Sequence, residues 1–199
     1  MKSVVILILL IIIFLYLHKN KEQFQNQKCN VYLISNKSDI TSSYKKKINN
    51  LAINPNDKVV RFNHSGNDDI LPNRTDIAVF RNNKYNYWGN GKPIWKNLQN
   101  SEVLLLGKNK NTNLAIKDLE KKNNKVEVIN YEKVKFTENN KVNNKTESSG
   151  KIVINHLQNK DYIDKIYLIG FDFYKGVNNW HNFKAEENFV NSNPNVIQL

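Results

Sequence analysis

Lys165-Ile-Tyr-Leu-Ile-Gly-Phe-Asp-Phe-Tyr174 is the stretch whose reading decides the fold. Its apolar run, closed by Gly170, predicts a buried strand of the kind found in parallel sheets. Upstream, Ser148-Ser149-Gly150-Lys151 reads as a helix start. Ser149 supplies a capping side chain and Gly150 lets the backbone approach a ligand, while Ile152, Val153, His156 and Leu157 follow at helical spacing. Downstream stands Trp180-His181-Asn182-Phe183-Lys184-Ala185-Glu186. Free N–H groups at a helix start suit an anion, and in open α/β sheets ligands collect outside the carboxyl ends of the strands. Tyr174 and His181 are therefore expected near any site.

Working outward, Asn30-Val-Tyr-Leu-Ile34 is a strand by its β-branched and aromatic content, and Ser35-Asn36-Lys37-Ser38 a turn after it. Tyr44, Ile48 and Leu51 recur at helical spacing among lysines and predict a short amphipathic helix. Lys58-Val-Val-Arg-Phe62 is a second strand, ended by Asn63-His64-Ser65-Gly66. Strand, turn, helix, strand is the opening of a nucleotide-binding α/β unit. Neither G-x-G-x-x-G nor a P-loop is present, so a dinucleotide or Walker-type ATP site is not indicated. Val103-Leu-Leu-Leu106 before Gly107 predicts a buried strand, Leu114, Ile116 and Leu119 a helix, and Lys125-Val-Glu-Val-Ile129 a further strand. Trp88 and Trp95 sit in a Gly/Asn/Pro loop, either to stack a sugar or to pack the loop down. The polar Asn/Lys-rich run from Thr137 to Thr146 predicts a loop that delivers the chain to Ser149.

The order Ser-Ser-Gly, then an apolar strand ending Gly-Phe-Asp-Phe-Tyr, then His181 with Glu186 five positions on, resembles motifs S and VS of the eukaryotic-type sialyltransferase family. The Gly-Phe-Asp-Phe-Tyr ending is also similar to bacterial sialyltransferases. Ser35-Asn36-Lys37-Ser38 and Arg61-Phe62-Asn63 resemble the two halves of motif L, with Ser35 and Ser38 where the family has glycine, and Asn73-Arg-Thr-Asp-Ile-Ala-Val-Phe80 continues the match. The resemblance covers roughly residues 30–82 and 146–191.

It implies a single Rossmann-like α/β domain of the A-type glycosyltransferase variant, a mostly parallel sheet flanked by helices, over residues 30–199. It further implies inverting, metal-independent transfer of a sialic-acid-type sugar from a CMP-activated donor, CMP-sialic acid or similar, to a glycan acceptor hydroxyl. By motif position Asn36 and Asn63 contact the CMP part, Ser149 and Gly150 meet the donor through the helix start, and His181 is the general base. Tyr174 is the phosphate donor carried over from the bacterial relatives, and Glu186 supports the site from the first turn of the last helix. No cofactor and no metal ligand is expected; Asp68-Asp69 reads as a solvated pair in a turn. The alternatives are a transferase for another CMP-sugar and a non-catalytic glycan-binding or envelope protein on the same fold. Without the family, Asn36 and Asn63 are good turn residues after strands, and His181 is a surface histidine flanking a helix.

At the start of the chain, Lys2 precedes an apolar run from Val4 to Leu17, followed by His18, Lys19, Lys21 and Glu22. The run is shorter than the roughly 20 residues of a spanning helix, yet no small-x-small cleavage site follows. The expectation is a signal anchor over residues 1–18, with a cleaved signal as the alternative, and a polar stem over residues 19–29. The resemblance implies a single-pass type II arrangement with the catalytic domain outside the cytosol, so the membrane is an expected partner. Cys29 is the only cysteine, which excludes an internal disulfide. The net charge of +12 arises mostly from lysine scattered among asparagine and isoleucine, and is compatible with an anionic donor or a membrane surface. Nucleic acid, favoured by charge alone, is not an expected partner. Sequons begin at Asn36, Asn63, Asn73 and Asn144.

Overall fold

The computed structural model of the chain describes residues 10–14, 28–35, 40–63, 69–71, 74–81, 98–108, 112–130, 134–138, 141–145, 147–173 and 183–199. Apolar runs form the strands β1 (Cys29–Ile34), β2 (Lys58–Phe62), β3 (Ile77–Arg81), β4 (Glu102–Leu106) and β5 (Lys125–Ile129). A two-stranded ribbon, β6 (Val134–Glu138) and β7 (Lys141–Lys145), precedes β8 (Ile163–Ile169) and β9 (Val196–Gln198). Among the described residues four helices lie between them: α1 (Ser42–Asn49), α2 (Thr112–Glu120), α3 (Ser149–Gln158) and α4 (Phe183–Asn191).

Seven strands form one sheet in the order β5-β4-β3-β2-β1-β8-β9, and every neighbouring pair is parallel. Alternate side chains of each strand serve opposite faces, so both faces need cover. Val31, Leu33, Val60, Val79, Leu104, Ile166 and Leu168 meet Ile152, Val153 and Leu157 of α3 and Val190 of α4 on one face. On the other, Tyr32, Ile34, Val59 and Ile169 pack with Ile48 of α1, and Ala78, Phe80, Val103 and Leu105 with Ala115 and Leu119 of α2. This is a three-layer, doubly wound α/β domain, Rossmann-like in kind.

The strand order reverses at β1. From β1 the chain builds outward to β5, then returns to lay β8 on the other side of β1. At Ile34↔Ile169 the two strands end level, and Ser35 ties them: its amide donates to Ile169 O at 3.0 Å and its hydroxyl to Gly170 O at 2.7 Å. The serine that stands where the sialyltransferase pattern has glycine thus closes the seam between the two halves of the sheet.

Three expectations need correcting, and a fourth, the helix read from Leu114, Ile116 and Leu119, is present with a different face buried. The run from Thr137 to Thr146 lies largely in the antiparallel ribbon, with Val134 opposite Lys145 and Glu138 opposite Lys141. Strand pairing satisfies backbone N–H and C=O groups whatever the side chains, so an Asn/Lys-rich run can pair as well as an apolar one. In α2 the buried face is Thr112, Ala115 and Leu119, while Leu114 is half exposed at 50%. The strand read from Lys165 begins earlier, at Ile163, and ends at Ile169, because Gly170 takes φ +73° and turns the chain. Finally, α3 is capped by Ser148, not Ser149.

Among the described residues no helix is long and apolar enough to cross a membrane. Of the anchor expected over residues 1–18, only 10–14 are described; they are helical and exposed.

Candidate functional site

The two ends of the sheet differ in how their polar groups are used. At the amino ends Asp57 and Asp76 cap strand backbone directly. Asp57, 4% exposed, accepts from the amides of Asn30 (2.8 Å) and Asn54 (3.2 Å); Asp76 accepts from the amide of Val59 (2.7 Å) and from Nε of Arg74 (2.9 Å). Arg74 also reaches the carbonyls of Pro55 and Asp57. These groups satisfy one another, which makes this edge structural.

The carboxyl ends hold acceptors and donors with capacity left. Asn63 follows β2 with φ 44°, a left-handed backbone that asparagine tolerates. Its amide donates to Val79 O at 2.8 Å, but its Oδ1 is buried with no hydrogen-bond partner among the described residues. An unmet buried acceptor costs about 1–3 kcal/mol, so the turn explains the backbone of Asn63 and leaves its side chain to be explained.

Next to it in the sheet, at the end of β3, Arg81 reaches the start of α3. Its Nε donates to Ser149 Oγ at 2.9 Å and its Nη2 to Glu147 O at 2.6 Å. Ser148 Oγ accepts from the amide of Lys151 at 3.2 Å as the helix cap. From α4, the buried Glu186 carboxylate takes the Ser148 amide at 2.8 Å and the Ser148 hydroxyl at 2.5 Å. Phe171, just after β8, lies edge-on to Phe62, and its ring would stand 2.8 Å from a Cβ placed on Gly150. The start of α3 is therefore held from β3, from α4 and from the end of β8.

Ser149 and Gly150 are thus assembled beside the end of β3, in the row of carboxyl ends that also holds Asn63, and Glu186 stands in the first turn of α4 as expected. Glu186 is not a surface charge answering the dipole of its own helix; its carboxylate is buried at the amino end of α3, where it occupies one of the N–H groups expected to be free for an anion. Asn36, Tyr174 and His181 lie outside the described residues, as do His64, Trp88, Trp95, Asp68 and Trp180. His156, the one described histidine, is half-buried in the last turn of α3 with Nε2 3.4 Å from Glu127 Oε2. Burial holds its pKa below the ordinary value despite that carboxylate. Asp69 pairs with Lys45 at 2.9 Å, and the hydrogen bond to that ammonium lowers its pKa. Among the described residues no group of three His, Cys, Asp or Glu is placed to hold a metal ion.

Arg81 is the residue that motif reading missed. Its signal is composition: only three of the 30 basic residues are arginine, and each donates to at least one backbone carbonyl, Arg61 and Arg74 to several. No family model, curated protein or solved structure matches the chain.

Proposed function

We propose that the chain is a sialyltransferase-like enzyme that transfers a sugar from a CMP-activated donor to a glycan hydroxyl, with inversion and without a metal. The observation that supports this reading is the buried Oδ1 of Asn63, unpartnered among the described residues, at the carboxyl end of β2, in the same row of strand ends as Arg81, Ser149 and Gly150. A nucleoside monophosphate presents hydroxyl and amino donors for such an acceptor and an anionic oxygen for hydroxyl and cationic donors.

In this reading Asn36 and Asn63 hold the nucleoside, and the start of α3 holds the departing phosphate together with Tyr174. His181 removes the proton of the attacking acceptor hydroxyl while the anomeric C–O bond to the phosphate breaks. Imidazole suits that role because its unperturbed pKa lies near physiological pH. The fixed donors stabilise the charge that accumulates on the phosphate as it leaves.

Calorimetric titration with CMP and CMP-sialic acid in EDTA tests the donor site. Binding that survives the chelator and is lost in Asn63→Ala supports it; a folded chain that binds neither ligand refutes it. His181→Ala is expected to abolish transfer while CMP affinity stays within about twofold, as for a group that acts on the acceptor.

A further inference from the structure

Two neighbouring serines open α3, and their hydroxyls are used differently. Ser148 Oγ donates its proton to Glu186 Oε2 and accepts from the Lys151 amide, so its donor and one acceptor position are engaged. Ser149 Oγ accepts from Nε of Arg81 at 2.9 Å, and among the described residues its own O–H has no acceptor. Nε of a guanidinium only donates, so the Ser149 proton must point elsewhere. A hydroxyl that accepts from a cation becomes a better donor through polarisation. The second branch of the guanidinium, on Glu147 O at 2.6 Å, fixes the orientation of the fork.

Resting on the functional reading above, we propose that Arg81 is a positioning residue that turns Ser149 into the phosphate-oxygen donor of the site. Arg81 sets both the direction and the strength of the Ser149 O–H, and its charge reaches the phosphate through that hydroxyl. Lysine cannot replace it, because an ammonium has no rigid fork to hold Glu147 O and Ser149 Oγ together. The ligand class selected at this point is an anionic oxygen, and a neutral nucleoside gains nothing from the pair.

The test compares CMP with cytidine on the full chain by calorimetry, for wild type, Arg81→Lys, Ser149→Ala and the double variant, with circular dichroism as the check of folding. Loss of a charge-assisted hydrogen bond predicts that each single variant binds CMP about tenfold more weakly, with cytidine affinity unchanged. Because Arg81 acts through Ser149, the double variant is expected to bind CMP no more weakly than Ser149→Ala. Additive losses in the double variant, or equal losses for CMP and cytidine, overturn the inference alone. A folded wild-type chain that binds neither ligand overturns the functional reading and this inference with it.

Discussion

In a chain whose positive charge is almost all lysine, arginine marks the places where geometry matters. Arg61 donates to the carbonyls of Ile70, Leu71 and Arg74, Arg74 to those of Pro55 and Asp57, and Arg81 to that of Glu147. Each planar fork joins segments distant in sequence, a task an ammonium performs poorly. Glycine is as specific at two positions. A Cβ on Gly150 would meet the Phe171 ring at 2.8 Å, and the ring can turn; a Cβ on Gly170 would meet Ile40 Cδ1 at 2.4 Å and Ser35 Oγ at 2.8 Å on a backbone at φ +73°. Gly150→Ala is therefore expected to cost about 1–3 kcal/mol by overpacking, and Gly170→Ala more, since strain is added to the clash. Urea denaturation of the two variants checks the order. His156 carries a pH effect. Burial lowers its folded pKa below the 6.5 of the free side chain, so the unfolded chain binds the proton more readily. Its contribution to stability is present above that ordinary value and is lost as pH falls below it toward the folded pKa. Glu127 and Lys160, which face the ring, act in opposite directions. In His156→Gln, melting temperatures are expected to show a weaker decline below about pH 6.5 than in the wild type.

At the scale of elements, the contact between α3 and α4 is unusual because it is polar and buried. Glu186 binds both the amide and the hydroxyl of Ser148, so a carboxylate from one helix completes the cap of another. Glu186→Ala leaves the Ser148 amide without its partner and is expected to lower stability by about 2–4 kcal/mol, as for a buried charge-assisted pair. Glu186→Gln keeps one acceptor and is expected to lose less; denaturant midpoints for the two variants separate these outcomes. The same pair shows what could be read in advance. The position of Glu186 in the first turn of a helix follows from sequence, whereas its partner lies 38 residues away and depends on how α4 docks. Sequence alone does not separate Ser148 from Ser149 as the cap, because both are good caps and only the register of the helix distinguishes them. Arg81 was missed because nothing in its neighbourhood distinguishes a strand-end arginine from a solvated charge; its partners lie 66 and 68 residues on.

For the whole molecule, β1, β2, β4 and β8 were legible because each is an apolar run bounded by turn residues, and buried parallel strands leave that signature; β5 showed by its alternation, while β3 entered only through the family resemblance. The three-residue β9 was not, since so short a run carries no periodicity, and neither was the ribbon, whose Val134, Phe136 and Val142 are scattered among lysine and asparagine. Strand order was beyond local reading altogether: nothing within Cys29–Ile34 names Ile163–Ile169 as its neighbour. Yet that pairing joins residues such as Ser35 and Gly170 that are 135 positions apart, and it has a consequence for synthesis. The centre of the sheet emerges from the ribosome first, but one of its two sides is completed almost last. Until β8 appears, β1 offers a bare row of N–H and C=O groups, an edge open to the wrong strand. A nascent chain halted after residue 160 is expected to be protease-sensitive and to aggregate or be retained by chaperones, and one halted beyond residue 199 to be resistant. Pulse proteolysis of the two stalled chains reads the difference. Resistance already at 160 would mean that the first five strands fold alone. Late closure also means that Phe171 and Glu186, which hold the start of α3 from the end of β8 and from α4, are made after every other residue of that edge, so the edge is complete only once α4 has been synthesised.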